Sequence, residues 1–237
     1  MYFSPRIVTS GLTLLLDNSD KNSYPGSGTV WTDLAQNLKF NSTGTTQTPF
    51  TKVGGVPCFD FNGSGYWQCT SGFGQVDMGG DCTLVMWLYH ENPPTRRTIF
   101  EKAGTVYASY QQEIAVTWEV NAAPQWSWYS RFSPDYDFSG FVDGKANAWN
   151  MLAIKMSTGK TTTARTGFYS VNGGAWISAY NSRSNVALVA AGAITVGAGY
   201  AGVVEVGYLN SVYCYNKMLT DVEILQNYNA TRTRFGR

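Results

Sequence analysis

One stretch of this chain reads as a helix, and it closes a sequence that otherwise reads as strands. From Gly207 a β-branched and aromatic run leads to Tyr215, then through a turn into Thr220-Asp-Val-Glu223-Ile-Leu-Gln-Asn-Tyr228. Thr220 and Glu223 have the spacing of a capping box, in which each side chain satisfies a backbone N–H at the helix start. Leu219 and Ile224 are placed to form a hydrophobic staple around it, and Asp221 sits where the helix dipole favours a negative charge. Val222, Leu225 and Tyr228 recur every three residues, so this stripe is expected to pack against a sheet.

Elsewhere, 25 glycines and 8 prolines cut the chain into short pieces. Residues 12–16, 57–61, 83–89, 97–101, 112–120, 125–132, 149–156, 166–172, 175–180, 192–198 and 208–215 are rich in strand-forming types. Val171-Asn-Gly-Gly174 is a hairpin signal, because Asn-Gly accepts positive φ. Thr83 to Tyr89 is apolar on both faces, as a central strand covered on each side would be. Many short strands without alternating helices predict an all-β, antiparallel β-sandwich with one short C-terminal helix. Asn18–Lys52 and Phe132–Asn147 read as long loops, the first tied down by Trp31, Leu34 and Phe40. With 237 residues and no internal break, residues 1–237 are expected to form one domain with short arms at 1–10 and 231–237.

The charge balance is nearly even, 17 basic against 16 acidic residues, which argues against nucleic acid or an anionic membrane as the partner. Met1–Arg6 lacks the pattern of a signal peptide, and no apolar run approaches the ~20 residues of a membrane helix. The expectation is a soluble chain made in the cytoplasm. Cys58, Cys69, Cys82 and Cys214 include no C-x-x-C pair, so they read as buried reduced thiols, with a Cys58 disulfide to Cys69 or Cys82 as the alternative.

The residues of catalysis are sparse. His90 is the one histidine and opens a Glu-Asn-Pro-Pro turn, and there is no G-x-S-x-G nucleophile elbow. A glycosidase needs two carboxyl groups ~5–9.5 Å apart. Glu113 and Glu119 share a strand face but would lie ~20 Å apart. Gly159-Lys160-Thr161 has Ile154 where a phosphate-binding loop needs its first glycine, and reads as a polar turn. Asp17-Asn18-Ser19-Asp20 is oxygen-rich, but Asx turns explain it as well as a hard cation does. No metal, cofactor or catalytic residue is assigned. The feature with binding character is aromatic density: eight aromatic residues lie between Trp118 and Phe141. On a strand Trp126 and Trp128 face the same way. With Tyr136 nearby they form a candidate sugar-stacking platform, though core or inter-subunit packing accounts for the same density.

Tyr215-Asn-Lys-Met-Leu-Thr220 and Glu223-Ile-Leu-Gln-Asn-Tyr-Asn-Ala230 resemble the closing motif of laminin-G-like, concanavalin-A-like jelly-roll domains. The likeness is to the form found in structural proteins of tailed bacteriophages, particularly large marine phages. Gly11 to Asp17, Ser23-Tyr-Pro-Gly-Ser-Gly28 and Trp31-Thr-Asp-Leu34 resemble the opening of the same proteins. Phe59–Gly63, Thr83–Trp87 and Trp149–Ile154 fall where such domains place successive strands. The resemblance implies a non-enzymatic virion structural protein, a capsid decoration or other particle-surface protein adhering to host surface glycans. A tail-fibre receptor-binding module that holds carbohydrate is the alternative, and a glycoside hydrolase is disfavoured by the missing carboxylate pair. Implied partners are capsid or tail proteins and further copies of the chain. Tyr2 and Phe3 at one end, and Arg232, Arg234 and Phe235 at the other, are then expected to make assembly contacts outside their own sandwich.

Overall fold

Thr83 to Tyr89 does lie at the centre of a sheet, with a strand on each side and side chains covered on both faces. The computed structural model describes residues 6–76, 78, 80–89, 97–103, 112–119, 125–131, 140–143, 146–157, 166–178, 192–199 and 206–237. In chain order the strands are β1 (Leu12–Asp17), β2 (Val30–Thr32), β3 (Lys39–Gly44), β4 (Phe50–Val53), β5 (Val56–Asn62) and β6 (Gly65–Cys69). There follow β7 (Cys82–Tyr89), β8 (Arg97–Ala103), β9 (Gln112–Glu119), β10 (Gln125–Arg131), β11 (Gly140–Asp143) and β12 (Trp149–Ser157). The last are β13 (Thr166–Val171), β14 (Ile177–Ser178), β15 (Ile194–Val196) and β16 (Val206–Tyr215), before the helix α1 (Asp221–Thr231).

These strands make two antiparallel eight-stranded sheets. The first runs β14-β13-β12-β7-β16-β5-β4, with β1 also paired to β16; the second runs β11-β10-β9-β8-β15-β6-β3-β2. β16 is long enough for β5 to take Val206–Leu209 and β1 to take Ser211–Tyr215 along the same edge. Asn210 lies at the irregularity between these halves, where its amide donates to Pro57 O and Ser19 Oγ and so ties both partners to β16. The predicted hairpin joins β13 to β14, with Asn172 at φ 53° and Gly173 at φ 72°.

Between the sheets lies a core of Leu14, Leu16, Phe59, Phe61, Leu84, Met86 and Leu88 from the first sheet and Trp31, Phe40, Trp67, Ile114, Val116 and Val196 from the second. Tyr24, Trp31, Phe59 and Trp67 meet tilted or edge-on, with centroids 4.6 to 6.0 Å apart. Such pairs add about 0.5–1.5 kcal/mol each beyond the area they bury.

The segment read as a loop from Asn18 to Lys52 contains β2, β3 and the start of β4. β3 is Lys-Phe-Asn-Ser-Thr-Gly, too polar to be read as a strand on propensity. Its ladder with β6 and the burial of Phe40 hold it in the sheet, while its other face meets solvent. Residues 140–143 of the second expected loop form β11.

A second apolar layer covers the outer face of the first sheet. Val85, Trp87, Met151, Ala153, Tyr213 and Tyr215 point there and are buried under Val8, Leu219, Ile224 and Phe235. The capping box forms as expected, Glu223 N–H donating to Thr220 Oγ1 and Thr220 N–H to Glu223. The helix face is corrected, however. Of the expected stripe Tyr228 packs on Trp87, but Val222 is 76% exposed and Leu225 46%, whereas Ile224, Asn227 and Thr231 are buried. Polar partners decide the rotation: Asn227 accepts from Val8 N and donates to Tyr215 Oη, and Thr231 Oγ1 accepts from Trp87 Nε1. Turning Val222 and Leu225 inward would strand these buried groups, each at a cost of about 1–3 kcal/mol.

Candidate functional site

The two sheets differ in what stands on their outer faces. On the first, the helix and chain ends complete an apolar layer. On the second, period-two alternation puts polar side chains outward. Phe40, Trp67, Cys69, Ile194 and Val196 are buried inside, so their strand neighbours Asn41, Gln68 and Thr195 face the other way. Register aligns these residues into a row across the strands: Val30 opposite Asn41, Asn41 opposite Gln68, Gln68 opposite Thr195, and Thr195 opposite Glu101. Ala115 continues the row beyond Glu101.

Exposure falls along that row. Val30 and Asn41 are exposed, and Gln68 and Thr195 are half-buried. Glu101 is 3% exposed and Ala115 fully buried. Tyr66, two residues from Gln68 and opposite Thr43, stands half-exposed on the same face. Val30, Asn41, Thr43, Tyr66, Gln68 and Thr195 thus make a strip without charged side chains that carries one aromatic ring, two amides and three hydroxyls, with Lys39 beside Asn41 on the same face. Amides and hydroxyls donate and accept at once, and a ring beside them adds an apolar face. The strip suits a neutral, polyhydroxylated ligand. Val30, Asn41 and Thr43 fall in the stretch 18–52 that reads as a loop, and the sequence signal for the strip is the alternation of Phe40 with Asn41 and of Trp67 with Tyr66 and Gln68.

Trp126 and Trp128, the expected stacking pair, lie on β10 of this same sheet. Their Cα partners are Trp118 and Val116 on β9, and Val116 belongs to the core. The side chains of 125–131, and all of Tyr136 and His90, lie outside the described residues. So do Tyr2 and Phe3.

At the other end, Phe235 and Arg234, expected to reach outside the sandwich, are engaged on it. Phe235 stacks on Trp87 at 3.8 Å between centroids and 10° between planes, and lies 5.2 Å from Trp149. Arg234 Nη1 donates to both carboxylate oxygens of Asp17, at 2.9 and 2.8 Å. Burial opposes the charge on Arg234, but Asp17 and its hydrogen bonds outweigh it and hold the guanidinium pKa above its ordinary value. Arg237 donates to Trp149 O. Arg232 stays exposed, its guanidinium 5.9 Å from the Tyr228 ring centre.

The oxygen-rich Asp17–Asp20 segment is used internally. Asp17 holds Arg234 and accepts from Ser19 N, while Asp20 accepts from Asn22 N in an Asx turn. Among the described residues no cluster of three or more His, Cys, Asp or Glu side chains is placed to hold a metal. The four cysteines are buried thiols outside any disulfide, and burial pushes the Cys58 thiol up to about 12.

No protein-family model matches the chain, and no curated protein matches it in sequence. Solved structures do match its fold. A Trypanosoma rangeli sialidase in complex with the inhibitor DANA aligns over 96% of this chain at 15% identity and a TM-score of 0.66. The chain spans 34% of that sialidase's length. Domain 4 of AbnA, a GH43 extracellular arabinanase from Geobacillus stearothermophilus solved with arabinotriose, aligns over 92% of this chain and 98% of its own, at 14% identity and a TM-score of 0.65. The receptor-binding domain of botulinum neurotoxin type G aligns over 92% of this chain and 51% of its own, at 11% identity and a TM-score of 0.60. At such identities the likeness establishes the sandwich alone. It also corrects the expectation that the chain is not an enzyme, since sialidases and an arabinanase are enzymes that carry this fold.

Proposed function

We propose that this β-sandwich is a carbohydrate-binding module that holds its ligand on the solvent-facing β2-β3-β6-β15 part of the second sheet's outer face. The strip of Val30, Asn41, Gln68 and Thr195, with Tyr66 and Thr43 alongside, is the binding surface. The contrast between the two outer faces carries this reading: one is sealed by apolar packing, the other offers an uncharged, hydrogen-bonding strip beside a ring. The arabinanase domain, matched over nearly its whole length and solved with arabinotriose, supports it, as does the receptor-binding domain of the neurotoxin.

A glycan array followed by calorimetry on its best hits tests the reading. Gln68→Ala and Tyr66→Ala should each weaken binding by roughly three- to tenfold, the equivalent of one hydrogen bond or ring contact. Val222→Ala, on the far side of the molecule, should leave it unchanged. An array without hits, or hits indifferent to both substitutions, defeats the proposal.

The particle-surface role is proposed beside it, on the residues of 11–34 and 215–230 that resemble phage structural proteins. In that setting the glycan lies on the host surface, the partners are virion proteins and copies of this chain, and Tyr2, Phe3 and Arg232 face them. Mass spectrometry of purified particles would find the chain there, and its absence from them ends that reading.

A further inference from the structure

Resting on the glycan reading above, we infer that the site takes the end of a neutral oligosaccharide about three units long, laid across the strands. Three features of the strip lead there. The first is direction. Val30, Asn41, Gln68 and Thr195 stand directly opposite one another on β2, β3, β6 and β15, so the hydrogen-bonding groups succeed each other across the strands. Three strand spacings cover about 14 Å. A sugar unit with its glycosidic oxygen advances about one strand spacing, so each unit of a transverse chain meets a new side chain. A chain running along the strands would leave Gln68 and Tyr66 after one unit, because β6 ends at Cys69.

The second feature is that the strip has one open end. Val30, on the edge strand, is 39% exposed, but beyond Thr195 the row passes to Glu101 and Ala115, which are 3% and 0% exposed. A glycan that lies over Thr195 therefore stops there, and its remaining units leave over Asn41 and Val30. The third is charge. The side chains of Val30, Asn41, Thr43, Tyr66, Gln68 and Thr195 carry no charge, and Lys39, exposed on the same face two residues from Asn41, donates to Thr32 Oγ1 and Asn37 Oδ1 in the neighbouring row, so the row itself gives an anionic sugar no counter-charge. Thr195 and Gln68 then hold the terminal pair of units, and Asn41 reads the third.

Calorimetry with arabino- and gluco-oligosaccharides of two to six units tests this. Affinity should rise from the disaccharide to the tri- or tetrasaccharide and then level. Asn41→Ala should weaken the trisaccharide by roughly three- to tenfold and leave the disaccharide unchanged, whereas Gln68→Ala weakens both. With linear arabinan, cutting by an endo-arabinanase multiplies chain ends at constant mass, and the number of sites titrated should rise in proportion. Affinity that climbs steadily to six units, an Asn41→Ala effect already present in the disaccharide, or site numbers that follow mass rather than ends would overturn the inference while leaving glycan binding intact. No binding to either series, together with an empty glycan array, removes both.

Discussion

Asp33 shows how much one polar residue can organise. It is 1% exposed, and its carboxylate accepts from Leu15 N at 2.7 Å, Ala35 N at 3.0 Å and Gln36 N at 2.8 Å. Leu34 N donates to Leu15 O at 2.8 Å, so the turn after β2 is bound to β1 of the opposite sheet. That is the physical content of the Trp31-Thr-Asp33-Leu34 pattern: Trp31 fills the core and Asp33 closes the turn over it. Asp33→Ala would leave buried N–H groups without acceptors and is expected to cost about 3 kcal/mol, measured as a lower urea midpoint at unchanged slope. A midpoint within error of the native chain would show that solvent satisfies those donors. Trp31 and Phe40 are recognisable in the sequence as anchors. That Asn41, next to Phe40, belongs to a strand is not, because its own side chain contributes nothing to the core and its place depends on the ladder with β6.

At the scale of elements, the C-terminal helix was legible in its start and misleading in its orientation. Its N-terminus is specified by local chemistry: Thr220, Glu223 and the Lys217–Glu223 ion pair all act within seven residues. The ion pair, helped by the backbone hydrogen bond from Thr220, holds the Glu223 carboxyl below its usual pKa against a smaller opposing effect of burial. A carboxyl with a depressed folded-state pKa stabilises above the ordinary glutamate range and loses that contribution as pH falls through the folded value. Thr220→Ala should cost about 1 kcal/mol at neutral pH. The urea midpoint of the native chain should fall between pH 7 and about pH 3 by more than that of Glu223→Gln, which keeps a capping amide but has no charge to lose. Equal falls in the two proteins would assign the acid sensitivity elsewhere. The face the helix presents, by contrast, depends on Tyr215, Val8 and Trp87, which come from three separate parts of the chain. No helical period in Val222, Leu225 and Tyr228 carries that information.

For the whole molecule, the core joins both sheets: Cys69 of β6 and Cys82 and Cys214 of the first sheet belong to one buried cluster. Residues 1–237 are therefore proposed to unfold as one unit. Cys58 and Cys69 are held above the ordinary thiol pKa chiefly by burial, so native-state reactivity toward a thiol reagent should be very low. All four thiols should become reactive in a single urea transition that coincides with loss of tryptophan burial. Two separated labelling steps would mean that the sheets come apart independently. The same architecture decides where a ligand can sit, because the elements that seal the outer face of the first sheet leave the β2-β3-β6-β15 part of the second to solvent.

The amino-acid sequence by itself determined the class of fold, the central strand, the hairpin at Asn172-Gly173 and the capped start of the closing helix. Each of these depends on alternation, turn chemistry or capping among residues near one another in the chain. Tertiary structure alone decided the short strand β2 and the polar strand β3, the buried face of the helix, the docking of Phe235 on Trp87 and the row from Val30 to Thr195. Those features are set by partners far away in the chain, and a residue's exposure is a property of what covers it rather than of the residue.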